Sequence, residues 1–225
     1  MLYAVGDIHG EIELLEELLA ELPHAEGDRF VFVGDYVDRG PDARAVVERL
    51  VAFSSERECV FLLGNHESMF LDFLGWEKPE YFAGDAFLMN GGDRTLASYG
   101  YFDLDDLSRH KFRLPAEHET FFRNLVLSHR EGDYLFVHAG LGRALLNDAD
   151  LEHALRKAHP EDLLWDRSGL DLPHRLGVTI VYGHTPSADF EVRWNEPFSI
   201  GIDTGAVYGG RLTAIRLPDE TLFQV

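Results

Sequence analysis

Residues 30–40 read FVFVGDYVDRG. The run Phe30, Val31, Phe32, Val33 has the length and the aromatic and β-branched content of a buried strand, and it stops at Gly34. Two carboxylates and a guanidinium, Asp35, Asp38 and Arg39, follow at once. Outward in both directions the same unit recurs. Upstream, Tyr3-Ala4-Val5 runs into GDIHG (6–10), and Leu15, Leu18, Leu19 and Leu22 then repeat at helical spacing with glutamates between them. Downstream, Pro41 suits a first helical position, and Ala43, Val46, Val47 and Leu50 share one face. A third strand, Val60 to Leu63, ends at GNHE (64–67) and leads into another helical stretch. Strands alternating with helices predict an α/β fold with a largely parallel sheet, and ligand sites in such sheets gather at the carboxyl ends of the strands.

From about residue 68 to 126 the pattern changes to helical pieces rich in aromatics, with Phe70, Phe73, Trp76, Tyr81, Phe82 and Phe87 among them. This reads as a helical insertion, either a cap beside the site or ordinary core packing. Beyond it come a strand at Tyr134–Val137, a helix near Leu151–Ala158, and short strands near 179–182, 199–202, 211–217 and 221–225. The turns Gly209-Gly210 and Pro218-Asp219 suggest antiparallel pairing of these last strands. No linker or repeat divides the chain, so residues 1–225 are read as one domain.

Composition narrows the functions. A chain of 225 residues, 45% hydrophobic, can bury a proper core. A net charge of -20 argues against binding along a nucleic-acid backbone, which depends on a broad basic surface. The lone Cys59 lies in an apolar run and forms no internal disulfide. No apolar stretch approaches a membrane span, and no basic leader precedes GDIHG, so a cytoplasmic protein is expected.

The strand ends carry metal-ligand residue types: Asp7, His9, Asp35, Asn65, His138 in VHAG and His184 in YGHT. Carboxylate, imidazole and amide oxygen without thiolate suit manganese, iron, zinc or a similar ion. Six such residues exceed the needs of one tetrahedral metal and fit a two-metal site, where ions about 3.5–4 Å apart can activate a water.

In their order, GDIHG, GDYVDRG, GNHE, HAG and GHT resemble the motifs of the phosphoprotein phosphatase family of calcineurin-like metallophosphoesterases, in its bacterial and phage forms. The resemblance implies a β-sandwich flanked by helices, with two divalent transition metals at one edge: manganese foremost, or iron, zinc, cobalt or nickel. It implies that Asp7, His9 and Asp35 hold one ion and that Asp35, Asn65, His138 and His184 hold the other. It further implies His66 as general acid, Asp38 as its partner, and Arg39 as a phosphate clamp. Arg167 in LLWDR falls where relatives carry a second phosphate-binding arginine. Arg94 and Arg143 read as solvated or structural, and Asp203 as a turn residue near the site. His24, His110, His118, His129, His153, His159 and His174 read as exposed or capping.

The function expected from this resemblance is a serine/threonine protein phosphatase, using a metal-bridging hydroxide on a phosphoprotein or small phosphorylated substrate. A symmetrical dinucleoside polyphosphate hydrolase is the alternative. Relatives of that kind typically lack Asp38 and carry GNHD in place of GNHE, so Asp38 and Glu67 lean toward the phosphatase. A noncatalytic module that binds a phosphorylated partner is a third reading.

Overall fold

A computed structural model describes residues 1–102 and 112–225. His110 and part of the expected insertion lie outside the described residues. The elements run β1 (Leu2–Val5), α1 (Ile12–Glu21), β2 (Arg29–Phe32), α2 (Ala43–Ser54), β3 (Glu58–Phe61), α3 (Asn65–Phe73), α4 (Gly92–Ser98), α5 (Ala116–Arg123), β4 (Ser128–Glu131) and β5 (Tyr134–Val137). They continue with α6 (Arg143–Leu146), α7 (Leu151–Lys157), α8 (Pro160–Leu164), β6 (Thr179–Tyr182), β7 (Arg193–Asn195), β8 (Ser199–Gly201), β9 (Thr213–Leu217) and β10 (Thr221–Gln224).

The strands form two five-stranded mixed sheets, ordered β10-β9-β1-β2-β3 and β4-β5-β6-β8-β7. In the first, β1, β2 and β3 are parallel, while β9 and β10 are antiparallel. In the second, β5, β6 and β8 are parallel and the edge strands β4 and β7 are antiparallel. Side-chain alternation along each strand divides the core. Leu2, Ala4, Val31, Val33, Phe136, Val181, Ile200 and Ile215 meet between the sheets. Their neighbours Tyr3, Val5, Phe30 and Phe32 turn outward, into a cluster with Leu15 and Leu18 of α1 and Val46, Val47 and Leu50 of α2. Leu135, Val137, Ile180 and Tyr182 pack with α6, α7 and α8 on the opposite side. The order of layers is helix, sheet, sheet, helix, the sandwich that the motif resemblance implies.

Several local expectations change. Pro41 does not open α2: the helix starts at Ala43, and Asp42 caps it by accepting from the Ala45 N–H at 2.9 Å. Pro218-Asp219 does close the β9–β10 hairpin, whereas β6 and β8 run parallel, and the chain through Gly209-Gly210 crosses from the second sheet to the first. Strands β4 and β7, polar and short, escape the apolar pattern. The aromatics of the inserted region are chiefly core: Phe70 stacks on Phe87 at 5.3 Å and meets Phe122 at 5.5 Å. His118 is buried rather than exposed, with its Nδ1 2.7 Å from the Tyr99 hydroxyl. His159 caps α8, its N–H donating to Asp162. Among the described residues no helix is long and apolar enough to cross a membrane.

Candidate metal centre

Both sheets send the carboxyl ends of their parallel strands to one edge. Asp7 and His9 follow β1, Asp35 follows β2, Asn65 and His66 open α3 after β3, His138 follows β5 and His184 follows β6. The loops after β1 and β2 are laced by backbone bonds, Ile8 and His9 N–H to the Asp35 carbonyl (3.1 and 2.8 Å) and Gly10 N–H to the Tyr36 carbonyl (2.9 Å). Close approach needs glycine. A Cβ on Gly64 would stand 2.2 Å from Asp35 Oδ1, and one on Gly40 would stand 1.9 Å from the His9 carbonyl oxygen. Five residues here that are not glycine hold positive φ: His9 (46°), Asp35 (56°), Asp38 (70°), Arg39 (68°) and His184 (64°). Such strain gathers where surrounding contacts impose it.

The carboxylate of Asp35 faces two ways. Its Oδ2 is 3.4 Å from His9 Nε2, and its Oδ1 is 3.4 Å from His138 Nε2 and accepts from the His66 N–H at 3.0 Å. Two buried groups share it, His9–Asp35–His66 and Asp35–His138–His184, each with donor atoms within 4.8 Å of one another. Asn65 Oδ1 joins the second group, 2.9 Å from both His138 Nε2 and His184 Nδ1. Asp7 approaches from beneath: its Oδ2 accepts from the His184 N–H at 2.9 Å. All six residues expected as ligands are therefore gathered, with His66 brought into the His9 group.

These residues fit a pair of cations on their own chemistry. Asp7 Oδ1 and His184 Nε2 are buried without a hydrogen-bond partner. His9 Nδ1 is 2.9 Å from the Val37 carbonyl and His138 Nδ1 is 2.8 Å from the Val33 carbonyl, so each ring turns Nε2 toward Asp35. Burial, Asp203 and Asp35 hold the Asp7 carboxyl well above its ordinary range. Burial works against Asp35 as well, but the imidazoles of His138, His66 and His9 outweigh it and keep the carboxyl low. Burial pushes His9 down to about 3. Burial works against a charged His138, but Asp35 and its hydrogen bond raise it, so the site draws positive charge toward Asp35, a demand that a metal ion would meet.

The cleft over this centre has a volume of about 360 Å³ and is lined by Arg39, His66, Asn90, Trp165, Arg167 and Tyr208, among others. Arg39 Nη1 is 2.7 Å from His9 Nε2, and its guanidinium stands 5.5 Å from the Tyr208 ring centroid. His66 Nδ1 is 2.7 Å from Asp38 Oδ2, both residues buried. Burial pushes Asp38 up and His66 down to about 4. Asp203 accepts from the Gly205 N–H at 3.0 Å, the turn role expected of it, and also faces the cleft. Arg94 and Arg143 are exposed and do not line it.

Glu67 does something the sequence does not show. Fully buried, it accepts from the N–H groups of Asp35 (2.9 Å), Tyr36 (2.7 Å), Val37 (3.1 Å) and Gly64 (3.0 Å), binding two site loops together. Neither Glu67 nor Asp38 lines the cleft. Both stand behind it, so their identity is a poor reporter of the substrate. Thr95, Trp165, Asn90 and Tyr208 also escape sequence reasoning, because no local pattern marks a residue brought in from another segment.

The Calcineurin-like phosphoesterase family model matches residues 2–202. The chain is 29% identical to the bis(5'-nucleosyl)-tetraphosphatase PrpE (asymmetrical) of Oceanobacillus iheyensis, over 98% of this chain and 90% of that protein. It is also 29% identical to the symmetrical bis(5'-nucleosyl)-tetraphosphatase of Bordetella pertussis, over 100% of this chain and 95% of that protein. A crystal structure described as a candidate diadenosine tetraphosphatase superposes with a TM-score of 0.69 at 24% identity, over 100% of this chain and 92% of that one. With the fold, the gathered donors and the family match in agreement, the chain belongs to the calcineurin-like phosphoesterases.

Proposed function

We propose that the protein hydrolyses a phosphoric anhydride bond in dinucleoside polyphosphates. The observation that carries this reading is end-to-end similarity to bis(5'-nucleosyl)-tetraphosphatases of both cleavage types. We prefer it to the serine/threonine phosphatase expected from the motif resemblance, toward which Asp38 and Glu67, both buried and absent from the cleft lining, had tilted the choice.

In this reading Asp7, His9 and Asp35 hold one divalent ion, and Asp35, Asn65, His138 and His184 hold a second, manganese being the ion we favour. When bound, such a pair supplies Lewis-acid polarisation and a hydroxide nucleophile near neutral pH. Arg39 binds the phosphoryl group under attack with its planar fork. Arg167, at the same cleft, neutralises further charge on the polyphosphate chain. His66 donates a proton to the departing oxygen, and Asp38 Oδ2 fixes the ring through Nδ1. Burial alone favours the neutral imidazole, but an anionic phosphate beside His66 favours the protonated one. We place the protein in the cytoplasm, where such nucleotides are found.

Assaying the manganese-loaded protein on diadenosine tetraphosphate beside phosphoserine and phosphothreonine peptides tests this. We expect kcat/KM at least about 10²-fold higher on the nucleotide, since remote binding groups raise discrimination by such factors. Products distinguish two ADP from ATP plus AMP. Preference for the peptides would restore the protein phosphatase reading, and no hydrolysis of either by a metal-loaded sample would favour a binding module.

A further inference from the structure

We propose that Thr95 is a positioning residue for the proton donor, acting through Asp38. The inference rests on the reading of His66 as that donor.

Asp38 is fully buried, and three of its groups meet side chains of the site. Its backbone N–H, in a residue at φ 70°, donates to Thr95 Oγ1 at 2.8 Å. The Thr95 hydroxyl returns its own proton to Asp38 Oδ1 at 2.6 Å. Only Oδ2 is left, and it meets His66 Nδ1 at 2.7 Å. Asp38 and Thr95 are 0% exposed and His66 is 1% exposed, so bulk solvent does not compete for these bonds. A carboxylate has two equivalent oxygens and a broad terminal torsion. By engaging backbone and Oδ1 together, one hydroxyl fixes both the turn and the carboxylate plane, and so decides which oxygen the imidazole sees.

Thr95 comes from α4, 57 residues along the chain from Asp38. The same segment touches the neighbouring residue, since the Arg39 N–H donates to the Gly91 carbonyl at 3.2 Å. The inserted helical region thus reaches the site from behind, setting the loop that carries both the partner of the acid and the phosphate clamp. A merely structural threonine would fill space and satisfy one N–H, and its loss would lower activity on all substrates alike. A positioning threonine acts only where the proton matters.

The test compares phenyl phosphate, with a poor leaving group, and 4-nitrophenyl phosphate, with a good one, using Thr95→Val, Thr95→Ser, His66→Asn and the Thr95→Val/His66→Asn double variant, each checked for melting temperature and metal content. A positioned acid contributes about 10²–10⁴-fold. We expect Thr95→Val to lose about tenfold or more in kcat on phenyl phosphate and under about threefold on 4-nitrophenyl phosphate, a fraction of that contribution. Thr95→Ser, which keeps both bonds, should restore most of the rate. In the His66→Asn background Thr95→Val should cost nothing further. Equal losses on the two substrates, or undiminished loss in the double variant, would overturn the role of Thr95 while leaving His66 intact. Should His66→Asn itself lose equally on both, the acid reading and this inference would fall together. If Thr95→Val does not fold, Thr95→Cys, similar in size and a weaker donor, carries the same comparison.

Discussion

Individual side chains in this site divide into those named by their neighbours and those named only by folding. Asp7, His9, Asp35, Asn65, His138 and His184 were legible because each sits one or two residues past a strand-ending glycine or within a short His motif. Glu67 belongs to the same GNHE stretch but its role is not legible there, because three of its four N–H partners, Asp35, Tyr36 and Val37, lie in a loop that only the fold brings near it. Its job predicts a measurable outcome. Glu67→Ala leaves buried N–H groups unsatisfied and should cost at least about 3 kcal/mol in urea unfolding. Glu67→Asp should leave the ratio of nucleotide to phosphopeptide hydrolysis unchanged. A shift of that ratio toward the nucleotide would mean that residue 67 does read the substrate.

At the level of elements, the sequence reveals strands with apolar or aromatic runs and conceals those without. β1, β2, β5 and β6 are evident, whereas β4 and β7 are polar edge strands with little to mark them. Sheet membership was also hidden: β8 and β9 are near in sequence but sit in different sheets, and a turn motif cannot say which side of a sandwich the chain enters. Helix α5 carries a further consequence. Burial holds His118 below its ordinary value of 6.5. The unfolded chain therefore binds a proton first as pH falls, so stability present above about 6.5 is lost progressively between that value and the lower folded one. Melting temperature should fall between pH 7.5 and pH 5.5, and a His118→Gln chain should show a flatter profile over that range. Parallel profiles for the two chains would count against a buried, neutral His118.

Across the whole molecule, the candidate centre is a seam. Donors that follow β1, β2 and β3 meet donors that follow β5 and β6, so ions bound there would join two sheets that also touch through apolar side chains, the Arg29–Glu131 ion pair and bonds such as Leu63 N–H to the Val126 carbonyl at 2.8 Å. Chelation should therefore lower the melting temperature by about 5–15 °C, the effect of losing a ligand present at 100 to 1,000 times its Kd, with added manganese restoring it. An unchanged transition in a sample proven free of metal would show that the seam is held without ions. The layered architecture was legible from the motifs taken together, but this joining of sheets was not, since it depends on which strands end side by side. The left-handed residues at the seam also bear on the protein's history. His9, Asp35, Asp38, Arg39 and His184 occupy backbone states that glycine would adopt with less strain. A lineage released from selection for hydrolysis could drift to glycine at these positions and ease its backbone at each step. Backbone strain here favours inactivation, and both the buried hydrogen bonds of these side chains, such as Asp35 to the His66 N–H, and continued use of the reaction oppose it.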